Sequence, residues 1–262
     1  MAVLPEIYPR DKLRQALRTF RALRAGLLAG LLCCLCWRVA TACPVAVDVG
    51  HFHDRPGATS ARGVVEYDFN LALATRIRAA LEQRGCKVIL IGAEGDAREL
   101  RGRTALARQA SFFLSVHHDS VQEQFLTPWV HDGKNRRYTD QFAGFSLFVS
   151  RENPALAESL RCASTIGSAL RGKGFVPSLY HAEAMPGEHR PFADQANGVH
   201  YFDGLVVLKS AVQPAVLLEA GVILNRAEEV RLSTEETRQS MAEAVASAVF
   251  QCVRAPATVE TR

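Results

Sequence analysis

Seven side chains of types that bind metals or move protons stand at the ends of apolar runs. His51 and His53 follow the run 44–49, and Glu66 opens a stretch of helical periodicity. His117, His118 and Asp119 follow the run 112–116, and Glu219 closes the run 215–219. A catalytic zinc site takes three ligands of His, Asp or Glu type and leaves one position for water. His51, His53, Glu66, His117, His118 and Asp119 are the candidates. Adjacent side chains on an extended strand point to opposite faces, so His117 and His118 should not both reach one ion. The same alternation places His51 and His53 on one side only if the strand continues, and Gly50 argues that it does not. Glu66 follows a loop that leaves His51, so it can fold back to the same point. The plainer alternative is a set of unconnected polar residues, and spacing alone leaves both open.

The elements that must position these groups alternate between strand and helix. "PVAVDV" (44–49) is a short β-branched run before a glycine and reads as a buried strand. Residues 66–84 read as a helix, with Leu73, Ile77, Ala80 and Leu81 on one face and Gly85 as the cap. Further strands are expected at 87–91, 112–116, 145–149, 205–209 and 215–219. Asp96 can cap a helix over 97–110, and Asn153–Pro154 can open one running to about 170. "STEE" (233–236) has the form of a capping box before a last helix to about 252. This pattern predicts a single α/β domain: a mostly parallel twisted sheet of about six strands with helices on both faces. In such a sheet, sites form at the carboxyl ends of the strands, where three of these runs deliver their ligand-type residues.

Two long segments, 120–144 and 172–204, break the alternation and are rich in Gly, Pro, His and charge. Segments of that length without structure of their own are usually functional. Their histidines, His131, His181, His189 and His200, read as solvated. Trp129, Tyr180 and Tyr201 could stack on sugar or peptide, or simply pin their loops. Arg98, Arg101, Arg103 and Arg108 read as the wet face of one helix.

The chain has 262 residues and a formal net charge of +4, but the surplus is local. Residues 1–42 hold seven basic and two acidic side chains, leaving 24 basic against 25 acidic in the rest. A folded domain without basic surplus argues against a nucleic-acid partner. The basic stretch, the 13-residue apolar run 25–37 and the A-T-A before Cys43 have the form of a secretory signal peptide cleaved after Ala42. The run is short for a membrane span, which needs about 20 apolar residues. The alternatives are an uncleaved anchor or a lipid on Cys43, although "ATAC" is a poor lipobox. Export leaves Cys43, Cys86, Cys162 and Cys252 in an oxidising compartment, with three possible pairings. No C-x-x-C remains to hold a metal.

Four motifs, in order, resemble the type 3 family of zinc N-acetylmuramoyl-L-alanine amidases. "VAVDVGHFHDRPGATSARGVVEYDFNLALATRI" is similar to the family's opening: strand, Gly-His, a "PGA" loop, then a Glu followed by Asn-Leu at a helix start. "RGCKVILI" resembles its second strand, and "RTALARQASFFLSVHHDS" resembles a segment that begins on Arg and closes on S-I-H-A-D. "PAVLLEAGVILN" resembles its closing P-x-x-L-x-E-x-G-F-x-x-N. The likeness runs from about Val45 to about Phe250, with the two long segments poorly matched.

The resemblance implies a role for each matched residue. His51, Glu66 and His117 would bind Zn2+, and Glu219 would be the catalytic carboxylate. Residues 43–262 would form the catalytic domain. The substrate would be peptidoglycan, cut at the amide between N-acetylmuramic acid and L-alanine in the periplasm or outside the cell. Two rival readings remain: a wall-binding relative without activity, and a zinc amidase of the same fold acting on another amide. Whether an activator protein takes part is left open by the sequence. Phe52 and His53 stand where the family has glycines, and His118 stands where it has Ala, so these three are expected at the mouth of the site. Ala220 and Val222 are further departures. The helical segment that blocks the zinc in some members has no counterpart after the fourth strand, where the chain runs directly into a helix.

Overall fold

The computed structural model describes residues 43–254, so the leader read over 1–42 lies outside the described residues. Nine strands and six α-helices are described. The strands are β1 (Pro44–Val49), β2 (Lys87–Ile91), β3 (Phe112–Asp119), β4 (Thr127–His131), β5 (Lys134–Tyr138), β6 (Ser146–Val149), β7 (Phe192–Asp194), β8 (Val199–Tyr201) and β9 (Ala215–Val222). The helices are α1 (Glu66–Gln83), α2 (Leu100–Leu106), α3 (Leu156–Gly172), α4 (Val206–Ser210), α5 (Arg226–Leu232) and α6 (Glu235–Arg254).

Seven strands form one sheet in the order β2-β1-β3-β9-β6-β8-β7. The pairings β1–β2, β1–β3, β3–β9 and β6–β8 are parallel, whereas β6–β9 and β7–β8 are antiparallel. The expected mostly parallel sheet is therefore present, with one strand more than expected. Alternation along β1 explains the two faces. Val45, Val47 and Val49 point into a core built with α1, α3 and α6, while Ala46 joins a second core with Ala107, Val207 and Leu208. Both faces are covered, so β3 and β9 are apolar over most of their first five and four residues, with Ser115 of β3 the exception.

The start of α1 explains how Glu66 returns to His51. No side chain caps this helix. Its first amide groups, on Glu66 and Tyr67, instead donate to the carbonyls of Ala58 and Pro56 at 2.8 and 2.9 Å. The loop leaving His51 thus takes over the capping function and places Glu66 on the first turn. At the other end Gly85, at φ +82°, closes the helix, with the Cys86 amide on the Leu81 carbonyl.

Three local expectations need correction. The strand expected over 205–209 is instead helix α4 (Val206–Ser210). A short buried apolar run fits either period, and here Val207 and Leu208 pack into the second core while Ser210 meets Thr104 of α2 at 3.0 Å. The helix expected over 97–110 is only α2, because 92–99 is drawn into a loop around Arg103, to which Ala97 offers its carbonyl. Ser233 does not cap α6. Its hydroxyl returns to the Glu229 carbonyl, and Thr234 accepts the Thr237 amide instead.

The long segments carry structure. Residues 120–144 contain the antiparallel hairpin β4–β5, and 172–204 contain β7 and β8, which extend the sheet. The four cysteines pair as Cys43–Cys86, tying the starts of β1 and β2, and Cys162–Cys252, tying α3 to α6. Closing loops of 43 and 90 residues stabilises a fold by about 4 to 5 kcal/mol each in the chain-entropy picture. No helix among the described residues is long and apolar enough to cross a membrane.

Candidate metal centre

The carboxyl ends of β1 and β3 and the first turn of α1 bring His51, Glu66 and His117 together. Their ligand atoms all lie within 4.8 Å of one another. His51 Nε2 is 3.0 Å from Glu66 Oε2, and His117 Nδ1 is 3.1 Å from Glu66 Oε1. Two glycines make this approach possible. A Cβ on Gly50 would sit 2.3 Å from the His117 ring, and one on Gly57 would sit 2.2 Å from Glu66 Oε2. His51 itself lies at φ +66°, a left-handed conformation that costs a non-glycine residue roughly 1 kcal/mol or more.

Buried neighbours hold that geometry. Glu66 accepts the Ala58 amide at 3.0 Å and the Asn70 amide nitrogen at 3.1 Å, one helical turn away. Burial would raise the Glu66 carboxyl, but the hydrogen bonds and charge of His117 and His51 hold it well below the usual carboxylate range. Arg103, 2% exposed, donates to Asp48 Oδ1 at 2.7 Å, to the Val49 carbonyl at 2.5 Å and to the His51 carbonyl. Ser115 donates to the other oxygen of Asp48 at 2.7 Å. Burial still pushes the Asp48 carboxyl up, against the pull of Arg103 and Ser115. The reading of Arg103 as part of a wet face is therefore corrected: it is a buried clamp on the strained His51.

His118 and His53 take no part in the cluster. His118 is buried on the opposite face of β3, with Nδ1 2.8 Å from Asn70 Oδ1, so it is not at the mouth. Since the Asn70 nitrogen donates elsewhere, His118 Nδ1 carries the proton. Burial pushes its pKa down to about 3. His53 is exposed and packs edge-on against Tyr67, with ring centroids 5.1 Å apart. Phe52 does line the cavity of about 590 Å³ that contains His51 and His117.

Glu219 stands directly beside His117 as its register partner on β9, with Ser146 of β6 on its other side. Its Oε2 is buried and makes no hydrogen bond among the described residues. Burial, reinforced by the charges of Asp119 and Glu66, raises its carboxyl well above the usual range. Asp119 accepts from His181 Nε2 at 2.7 Å, and His181 Nδ1 lies 2.9 Å from Glu188. Burial opposes the imidazolium there, yet the two carboxylates raise it to about 10. His181 and His200 are thus buried, not solvated. His200 is 0% exposed, shares its Nδ1 proton with the Arg190 carbonyl, and is pushed down to about 4 by burial. His131 stacks on Trp129 at 5.1 Å, and only His189 among the loop histidines is exposed.

The loop aromatics are largely occupied within the fold. Trp129 donates from Nε1 to the Ala61 carbonyl at 3.1 Å and lies under Arg62 and Arg226. Tyr180 is buried and accepts the Gln122 amide, joining the two long segments. Tyr201 lies under Arg151.

Sequence reasoning overlooked Asn70, Asp48 and His181. Asn70 stood in the Asn-Leu of the opening motif, and Asp48 was a charge inside a β-branched run. Nothing local marked His181.

The model of the N-acetylmuramoyl-L-alanine amidase family matches residues 45–251. The N-acetylmuramoyl-L-alanine amidase AmiC of Neisseria meningitidis is 25% identical over 230 residues, covering 78% of this chain and 51% of the relative. The chain therefore spans about half the length of that relative. An N-acetylmuramoyl-L-alanine amidase from Clostridium difficile superposes with a TM-score of 0.64 at 19% identity, over 82% of this chain and 99% of that one. Ami1 of Mycobacterium smegmatis superposes with a TM-score of 0.62 at 20% identity, over 80% of this chain and 96% of that one. These two likenesses concern the fold.

Proposed function

Because the chain belongs to the N-acetylmuramoyl-L-alanine amidase family, we propose that it is an exported zinc hydrolase that cuts the amide between N-acetylmuramic acid and L-alanine in peptidoglycan. The observation that carries this reading is the convergence of His51, Glu66 and His117 beside Glu219. Two imidazoles and one carboxylate are the donor set of a catalytic zinc site with one position open. The glycine cradle at Gly50 and Gly57 leaves room for the three to close on an ion. When bound, zinc supplies an acidified water and a polarised scissile carbonyl.

The chain's own residues do the rest. Glu66 neutralises part of the ion's charge, and Asn70 fixes its carboxylate. Arg103 and Asp48 hold the backbone that carries His51. Glu219 Oε2, with no other partner, takes the proton of the attacking water and passes it to the leaving amine. A cation beside Glu219 favours its ionised form, whereas its burial favours the form that retains the proton. That opposition suits a group that must do both.

Export is supported by the leader read over 1–42 and by the two disulfides. The Cys43 sulfur that a lipid anchor would use is bonded to Cys86, which favours a soluble mature protein.

The test is digestion of purified sacculi by the metal-loaded protein. New lactyl ends on the glycan and free L-alanine amino termini, both abolished by chelation, are expected. Binding to sacculi without release of amino termini would leave a wall-binding relative. Cleavage of simple acyl-amino acids but not sacculi would leave an amidase of another substrate. Intact mass of the exported protein should begin at Cys43, and retention of 1–42 would overturn the cleavage site.

A further inference from the structure

The hairpin β4–β5 builds one wall of a groove of about 810 Å³. The loop 58–60 also lines it, and the groove adjoins the candidate metal centre through two residues: Ala58 gives its amide to Glu66, and Ser120 stands three residues beyond His117. Three charged side chains line it, namely Glu123, Arg136 and Arg137. Glu123 and Arg137 form an ion pair with each other. Arg136 has no acidic partner among the described residues, and its Nε is buried without a hydrogen bond.

The guanidinium of Arg136 is nonetheless held in place. It lies over Gly63, at φ +100°, where a Cβ would come within 2.2 Å of Nη2 and 2.3 Å of Cζ. Only glycine at position 63 leaves that space, so the side chain is set against the loop rather than extended into water. The cations of the neighbouring cavity differ. Arg98 is paired with Asp54, and Arg55 and Arg101 are exposed. The hairpin groove therefore carries one positioned, uncompensated positive charge whose planar fork matches a carboxylate.

We infer that Arg136 is a specificity-determining residue that binds a free carboxylate of the peptide stem and so lays the stem along the hairpin groove. The inference rests on the amidase reading and deepens it. In the muramoyl amide the sugars are neutral and the lactyl carboxyl is consumed in the scissile bond. The anionic groups of that substrate are on the stem.

The experiment compares soluble muropeptides bearing free stem carboxylates with the same muropeptides amidated, using wild-type protein, Arg136→Gln and Arg136→Lys. Wild type should prefer the free acids. Arg136→Gln should raise KM for them roughly ten- to hundredfold, as expected for loss of a charge-assisted bond. Its kcat should stay nearly unchanged, and it should lose the preference over amidated substrate. Arg136→Lys should restore part of that preference, which a merely structural role for the side chain would not require. Equal KM for both substrates in wild type, or an undiminished preference in Arg136→Gln, overturns the inference. Calorimetric binding of the free stem peptide separates it from the parent reading. Binding that depends on Arg136 in a protein that cleaves no muropeptide keeps the inference and sinks the amidase. Cleavage with stem binding indifferent to Arg136 does the reverse. If Arg136→Gln does not fold, the wild-type comparison and the Lys variant decide.

Discussion

His117 and Glu219 are register partners on adjacent parallel strands at the middle of the sheet. Partners in register project to the same face, so the candidate ligand and the candidate base stand side by side. The register then shifts between His117 and Asp119, so that an irregularity separates this pair from the last one, Asp119 with Val222. Two paired strands thus deliver a metal-type donor and a buried, unpartnered carboxylate to one point; Glu219 lies within β9, which continues to Val222, rather than at its end as the sequence suggested.

Glu219→Gln keeps the shape and loses the base. Rates of amide cleavage should fall by about 10²–10⁴, the usual effect of removing a positioned acid or base. Bound zinc and the melting temperature should stay near wild type. A Gln variant that loses its metal would make Glu219 a ligand and not the base.

His117→Ala should lose the metal, whereas His118→Ala should keep it. The two side chains point to opposite faces of β3, and only His117 reaches Glu66 with its ring. His118→Ala should instead lower stability by about 1–3 kcal/mol, because Asn70 Oδ1 would be left buried without its partner. Metal analysis and denaturant melts of the two variants check this. Retention of zinc by His117→Ala would show that the register is misassigned.

The metal-type ligands were legible because their types are chemically distinctive and the strand ends are marked by apolar runs. The buried polar frame was less so. Arg103 looked like one of several surface arginines, since nothing local shows that Asp48 lies 2.7 Å away across 55 residues of chain. His181 and His200 sat in a segment with no periodicity; His200 is buried on β8, which joins the sheet, and His181 is buried against Asp119, Glu188 and Phe148 from distant parts of the chain. The run at 205–209 was ambiguous for a different reason. Its apolar residues satisfy a strand or a buried helix equally, and only packing against α2 decides.

Arg103→Ala should be among the most damaging changes outside the ligand set. It leaves Asp48 buried at 1% exposure with only Ser115 to hold it, and breaking one side of a buried pair typically costs about 3–5 kcal/mol. It also releases the carbonyl of the strained His51. Zinc affinity should therefore weaken together with stability. Arg103→Lys should rescue little, since a single ammonium cannot reach Asp48, Val49, His51 and Ala97 at once. Unchanged zinc affinity in a folded Arg103→Lys protein would separate the clamp from the site.

The His181 bridge makes stability depend on alkaline pH. Asp119 and Glu188 raise this imidazole from an ordinary 6.5 to about 10 in the folded protein. Between those values the folded state keeps a proton that the unfolded state has released. The stabilisation is thus complete below about 6.5 and is lost as pH rises through about 10. Unfolding free energy should decline across that window, and the tie between 120–126 and 180–190 should loosen with it. His181→Gln has no proton to hold, so it should be less stable than wild type at pH 6 and converge with it near pH 10. Urea melts of both proteins at intervals over this range measure the difference directly. Parallel curves with a constant offset would mean that His181 contributes by packing alone, and that the charge between the two carboxylates is not what holds the segments together.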